Sequence, residues 1–240
     1  MATITVAAII PTLDEESSLR RSLPAILSAA DEVVVSDGGS RDQTLRTAEE
    51  LGARVITGAA GRGPQLNRGV ASTSSDVLVF LHADTRLPPG AVPAIREAIG
   101  SGKIGGGFQV RFDTDNRVMA VGSKLVQLRT RLTRSPLGDQ AQFVRRTTFD
   151  ELGGFRNWAA LEDLDLIRRM KQCGEVVVLP LEATTSARRY LEDGIGRTVA
   201  LNWLIWGLYF AGIPAERLAR LYRPRRTPTD QTAPRDRQKT

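Results

Sequence analysis

One cysteine and one histidine serve 240 residues, and both scarcities narrow the chemistry. Cys173 has no partner for an intrachain disulfide, so no disulfide scaffold holds this chain. A domain of this length buries roughly 70–75% of its unfolded surface and needs no such staple. Structural zinc sites draw on groups of Cys and His, and His82 with Cys173 cannot make one. A Ser-His-Asp or Cys-His hydrolase would have to run entirely through His82. This cysteine usage fits a reducing, cytoplasmic compartment. Long apolar runs are missing too. The longest, 199–213, has 15 residues with Asn202 inside it, whereas a spanning helix takes about 20. The amino-terminal ATITVAAII carries no basic stretch ahead of it and runs into Pro11 and an acidic cluster, unlike a secretory signal. What composition leaves open is chemistry resting on carboxylates.

The charge is unevenly placed. Net charge is +6, but residues 223–240 hold six basic residues against two acidic ones. The body is thus nearly neutral, which is no nucleic-acid footprint. That tail, rich in Pro, Thr and Arg without large apolar residues, reads as disordered. Its Arg residues give at most a weak pull toward anionic lipid. Within 199–213, Trp203, Trp206, Tyr209 and Phe210 form an aromatic face. Packing in the core or against a second subunit is the first reading of that face, and peripheral contact with a membrane is the second.

The first hundred residues alternate short apolar runs with helical patterns. Strands are expected at 4–11, 31–37, 53–57 and 76–84, and helices at 15–29, 42–51, 64–72 and 89–99. Such alternation means βαβ units and a parallel sheet. After Gly100 the rhythm changes. GKIGGGFQVRF (102–112) reads as an edge strand opened by glycines, 116–132 as a helix, 135–146 as holding a further strand, and 161–174 as an amphipathic helix. The simplest organisation is one α/β domain over 1–222. Its halves fall at about 1–100 and 101–190, with helices at about 193–222.

Ligands of an open parallel sheet bind beyond the carboxyl ends of its strands. There the sequence places PTLDEES (11–17), SDGGSRDQT (36–44), GAAGRGPQLNRG (58–69) and HADT (82–85). Helix capping by Asp14, Ser40 or Asp42 explains each loop singly. It does not explain why the loops together are polar, Gly-rich and mostly acidic, a combination suited to a nucleotide and a divalent cation. Asp84, just past a buried strand, needs a partner. Mg²⁺ and Mn²⁺ take a few carboxylate oxygens completed by phosphate and water. His82 reads first as a packed strand-end histidine and second as a further metal ligand. Glu162 and Asp163 open a helix behind a glycine-rich stretch containing Trp158. A helix cap is the plain reading, and a general base facing a pocket walled by Trp158 is the functional one.

The ordered set AIIPTLDEESSL, VVSDGGSRDQT, GRGPQLNRG, FLHADT, GDQAQFVRR, FDELGGF and LEDLDLIRR resembles family 2 glycosyltransferases of the GT-A fold, over roughly 4–175. It is similar to a small soluble bacterial subgroup with this HAD and GDQ pairing. The resemblance implies a Rossmann-like, mostly parallel sheet flanked by helices. It also implies non-processive transfer of a sugar from a UDP- or GDP-sugar to an unknown acceptor, such as a lipid or a small molecule. Inversion at the anomeric carbon and use of Mn²⁺ or Mg²⁺ come with it. Pro11, Thr12, Glu15, Asp37, Arg62, Gln65, Asn67, Ala83 and Asp84 match the nucleotide-sugar loops, with Asp84 as the metal ligand at the end of the DxD motif. Gly138, Asp139 and Gln140 match a segment lining donor sugar or acceptor. Asp163 matches the catalytic base of the ED motif, with Glu162 beside it. His82 stands where DxD has its first aspartate, and Gly38 where many relatives have a second one. The QxxRW motif of processive synthases is missing. A nucleotidyltransferase would carry a Gly-rich basic loop after the first strand, a nicotinamide enzyme GxGxxG there, and neither is present. A catalytically inactive GT-A-like binding protein is the remaining alternative.

Overall fold

A computed structural model describes residues 3–158, 161–214 and 217–218. The tail at 223–240 and part of the helical segment at 193–222 lie outside them. Seven strands form one sheet: β1 (Val6–Thr12), β2 (Glu32–Asp37), β3 (Arg54–Thr57), β4 (Val77–Phe80), β5 (Gly105–Phe112), β6 (Phe143–Arg145) and β7 (Val176–Thr185). Their order is β3-β2-β1-β4-β6-β5-β7. The β3-β2-β1-β4 half is parallel, β6 runs antiparallel to both its neighbours, and β5 and β7 are parallel.

Period-two burial splits β1 between two cores. Val6, Ala8 and Ile10 face α1 (Glu16–Leu27) and α4 (Ala91–Gly100), while Ala7 and Ile9 face α3 (Arg62–Ala71) and α7 (Glu162–Cys173). A sheet covered on both faces needs strands apolar throughout, as 6–10 are. The remaining helices are α2 (Thr44–Leu51), α5 (Arg117–Thr133), α6 (Arg146–Glu151), α8 (Arg188–Asp193) and α9 (Ile195–Phe210). Among the described residues no helix is long and apolar enough to cross a membrane.

Two expectations need correcting. The 102–112 segment is not at an edge, because β5 is pressed between β6 and β7. Its three glycines serve that closeness. A Cβ on Gly105 would strike the Phe143 carbonyl oxygen, and one on Gly106 the Val177 carbonyl oxygen. A Cβ on Gly107 would lie 2.5 Å from Pro136 Cβ. The edge belongs to β7, which was not foreseen at all. The apolar run expected over 76–84 is also shorter as a strand. After Phe80 the chain turns, with Thr85 N–H donating to the His82 carbonyl at 3.0 Å. Buried Thr85 bonds Thr185 at 3.1 Å, and Arg86 bridges Thr184, so HADT is pinned to the end of β7.

Candidate active site

The carboxyl ends of β1, β2 and β4 converge on one loop cluster, held by buried amides. Gln65 donates to the carbonyls of Thr12 and Ser36, both at 2.8 Å, and accepts from Gly61 N–H at 3.1 Å. One side chain thus staples the first three loops together. Asp37 is fully buried, and its oxygens accept from Thr12 Oγ1, Ser40 Oγ and the N–H groups of Gly39 and Ser40. Asn67 closes a reciprocal pair with the Phe155 backbone, at 2.8 and 2.9 Å. A Cβ on Gly38 would stand 3.0 Å from Gln65 Oε1 and 3.1 Å from Ala60 Cα. A second aspartate at this place would crowd the staple.

The HADT turn aims alternate residues differently. Ala83 is buried, with its carbonyl accepting from Ser22 at 2.5 Å, whereas His82 and Asp84 face a cavity of about 340 Å³. Burial pushes the Asp84 carboxyl up, and the nearby Glu15 and Asp113 add to this while Arg188 opposes it. Arg188 also lies 3.5 Å from Glu15 Oε2. The carboxylates thus meet a cation at the start of α8.

Helix α7 brings in the second group. Its N-cap, Leu161, holds a left-handed backbone (φ 67°), a sparsely populated state for a leucine. Glu162 and Asp163 follow in the first turn, where the helix dipole favours anions. Glu162, 2% exposed, pairs with Arg62 at 2.7 Å. Burial pushes its carboxyl up, Arg62 pulls it down, and Asp163 raises it again; burial prevails. Asp163 is half-buried and lines the cavity. Its Oδ2 accepts from Gly138 N–H at 2.7 Å and its Oδ1 from Leu164 N–H at 2.8 Å. Gln142 holds the Asp163 carbonyl at 3.0 Å. Asp165 turns away to Arg169, at 2.7 Å.

The single turn at 138–140 sits between the two groups. A Cβ on Gly138 would lie 2.5 Å from Arg62 Nη2, 2.8 Å from His82 Nε2 and 3.0 Å from Asp163 Oδ2, so three functional side chains converge on this glycine. Arg62 also contacts His82 Nε2. Burial pushes the neighbouring Asp139 carboxyl up, with Arg129 opposing and Asp163 reinforcing.

Six of the expected residues therefore line one cavity: Arg62, His82, Asp84, Asp139, Glu162 and Asp163. Others are nearby but differently used. Gln140 is buried, bonded to the Phe108 carbonyl, Leu137 N–H and Thr130, and so fixes the turn instead of lining the cavity. Gln65, Asn67 and Ala83 are likewise turned inward. Thr12 and Asp37 are buried at the ends of β1 and β2, with Pro11 and Glu15 partly exposed beside them. Trp158 lines a separate hollow with Arg156 and Arg169, not the wall of this cavity. His82 Nε2 contacts Arg62 in this arrangement. Sequence reasoning marked the aromatic face of 199–213 without placing it at this site, where Met119, Leu125 and Arg129 of α5 face Val199, Trp203 and Trp206 of α9 as the far wall.

Comparison with known proteins gives this geometry a family. Residues 7–155 match the model of "Glycosyl transferase family 2". Glucosyl-3-phosphoglycerate synthase of Mycobacterium tuberculosis is 32% identical over 97 residues, 35% of this chain and 30% of that protein. Dolichol-phosphate mannosyltransferase of Pyrococcus furiosus is 36% identical over 107 residues, covering 40% and 30%. The matched segment thus spans under a third of either relative. A crystal structure of the Mycobacterium tuberculosis synthase with Mn²⁺, UDP and glucosyl-3-phosphoglycerate superposes with a TM-score of 0.57 at 24% identity, over 83% of this chain and 78% of that one. Its fold is the GT-A glycosyltransferase fold, with the same mostly parallel sheet between helices. By the match across most of its length, the chain belongs to glycosyl transferase family 2.

Proposed function

We propose that this protein transfers a sugar from a nucleoside-diphosphate sugar to a hydroxyl acceptor in one inverting step, with Asp163 as the general base. The observation that carries the reading is Asp163 itself. Two N–H groups, from Gly138 and Leu164, fix its carboxylate at the cavity wall, and its neighbour Glu162 is committed to Arg62. A fixed, half-exposed carboxylate can take the proton of an attacking hydroxyl, whereas a buried ion pair cannot.

The diphosphate belongs beside Arg62. Helix α3 starts at Arg62 after a loop holding Gly58 and Gly61, and a helix start with an arginine is an anion site. Arg62 would keep its Nε on Glu162 and turn its Nη2 from His82 toward the leaving diphosphate, steadying the charge that develops there. The nucleoside lies over Pro11, Thr12, Glu15 and Asp37. UDP and GDP are the donors to test.

A divalent ion fits Asp84. Its carboxyl is held up by burial and by Glu15, so a cation would relieve both penalties. Among the described residues no group of three metal-ligating side chains is present. Asp84 would supply one carboxylate to Mn²⁺ or Mg²⁺, with diphosphate oxygens and water completing the shell. When bound, such an ion neutralises charge on the leaving diphosphate. Support comes from the synthase structure, which holds Mn²⁺ and UDP.

Asp163→Asn is nearly isosteric and keeps the acceptor for Gly138 N–H. Donor binding by calorimetry with Mn²⁺ should survive, while turnover of a UDP- or GDP-sugar falls about 10²–10⁴-fold. Asp84→Asn should remove the Mn²⁺ dependence of donor binding. If the native chain binds no nucleotide sugar with or without Mn²⁺, the inactive binding-protein alternative replaces this reading.

A further inference from the structure

The cavity has two unlike walls. One is the polar site above; the other opens between α5 and α9 and is apolar, lined by Met119, Leu125, Val126, Val199 and Trp203. Outside the cavity, both helices continue this character onto the surface. Helix α5 exposes Val118 (61%), Val121 (58%), Leu125 (58%), Leu128 (55%) and Leu132 (77%). These positions recur at steps of three and four, so they form a single stripe. A surface helix ordinarily turns such a stripe to the core. Here the core side is Met119, Ser123 and Thr130, and the stripe faces out. Helix α9 does the same on a smaller scale, with Trp203, Leu204 and Phe210 more than half exposed, and residues 198–214 carry no charge. The cation-π contact of Arg129 with Trp206, at 4.9 Å, ties the two helices together.

Charge decides what covers this face. Within α5 and its cap the charged residues are Arg117, Lys124, Arg129, Arg131 and Arg134, with no acid among them. Two copies of α5 packed stripe to stripe would bring these cations together, without the glutamates that pair across a zipper. An anionic bilayer offers the opposite charge and an apolar layer for the stripe. Tryptophan and phenylalanine on α9 suit the headgroup boundary. The helices of 17 and 16 residues are about 25 Å long, enough to lie on a bilayer and too short in apolar length to span it. The acids nearest in sequence, Asp113, Asp115, Glu192 and Asp193, lie ahead of α5 and α9, outside the two stripes.

We propose that the α5/α9 face docks on an anionic membrane, and that the cavity between the helices admits a hydrocarbon chain from it, so that the acceptor is a lipid whose polar end reaches Asp163. The docking stands on the exposed stripes alone. The identity of the lipid as acceptor rests on the transferase reading.

The full chain is floated with vesicles of pure phosphatidylcholine and of phosphatidylcholine with phosphatidylglycerol. Flotation with the anionic vesicles only is expected, together with a blue shift of tryptophan fluorescence. Leu128→Glu with Leu132→Glu, two stripe residues outside the cavity, should cut vesicle affinity at least tenfold while melting temperature and Mn²⁺-dependent UDP or GDP binding hold. Gly122→Phe tests the cavity. Gly122 lines it with open space beside its Cα, so a phenyl ring fills the opening. That variant should still float but lose at least tenfold in binding of dodecyl phosphate, used below its critical micelle concentration. A native chain that ignores anionic vesicles, either as a monomer or as a dimer by light scattering, overturns the docking. Equal dodecyl phosphate binding by Gly122→Phe and native chain overturns the chain-binding cavity. Flotation of a protein that binds no nucleotide sugar leaves the docking standing and removes the acceptor role together with the transferase reading.

Discussion

Replacing Gly138 by alanine tests whether the active site depends on the convergence at that residue. The backbone poses no obstacle, because Gly138 is not among the residues with positive φ. The added methyl is the whole perturbation. It would meet Arg62 Nη2 at 2.5 Å, against the roughly 3.4 Å at which ordinary contact begins, so the guanidinium must retreat by about 0.9 Å. His82 Nε2 at 2.8 Å and Asp163 Oδ2 at 3.0 Å must give by about 0.6 and 0.4 Å on the same scale. All three atoms end side chains, so they can move without unpacking the core, and the stability cost should stay within about 1–3 kcal/mol. Catalysis tolerates far less. A reacting group displaced by about 1 Å costs on the order of 10²-fold. Asp163 would be moved while the Gly138 N–H that orients it stays in place. The expected outcome is a protein with native circular dichroism, Mn²⁺-dependent nucleotide binding within a few-fold of normal, and turnover of a nucleotide sugar reduced about 10–100-fold. Calorimetry and coupled release of the nucleoside diphosphate measure the two quantities. Turnover within threefold of the native value would show that these side chains have slack, and would refute the argument that the glycine is required for room.

Gln65→Leu removes the amide that joins the first three loops. It leaves two carbonyls and the Gly61 N–H short of a partner in a buried place. At about 1–3 kcal/mol for each group left wanting, and with the Thr12 carbonyl still bonded to Gly38 N–H, a loss of roughly 2–4 kcal/mol is expected. Thermal unfolding should show this as a fall of about 5–15 °C. Asp139→Asn should act in the other direction. Burial raises the Asp139 carboxyl in the folded state, so the native protein holds that proton more tightly than the unfolded chain. Stability is therefore lost as pH rises above the unfolded carboxylate value. The asparagine variant should melt higher at neutral pH, and the gain should vanish in acid, where both states of the carboxyl are protonated. A variant that melts lower at both pH values would mean that the Arg129 contact outweighs burial.

Much of the first half of this fold was legible along the chain. Apolar runs such as 6–10 are forced by burial on both faces of a sheet, and the helices between them have their own period; both are local properties. The candidate carboxylates were legible for a related reason. Parallel strands deliver their carboxyl ends to one edge, so Asp84 and the loops at 11–17, 36–44 and 58–69 had to be neighbours once the sheet was parallel. The resemblance to a family added Gly138 and chose Asp163 over Glu162 within a pair that the residues had already marked. Tertiary structure decided the rest. Which of Glu162 and Asp163 is held in an ion pair depends on Arg62, 100 residues earlier in the chain, pairing with the first and leaving the second to Gly138. Gln65, Asn67 and Gln140 could not be sorted along the chain, because buried amides and binding amides have the same letters. Only the positions of distant carbonyls show that these are staples. The glycines of β5 read as an opened edge, when close packing against Val177 and Phe143 was their cause. Helix α5 gave its apolar stripe in the sequence, but the side on which that stripe lies was set by β5 and β7 beneath it. Periodicity fixes which residues share a face, and packing alone fixes where the face points.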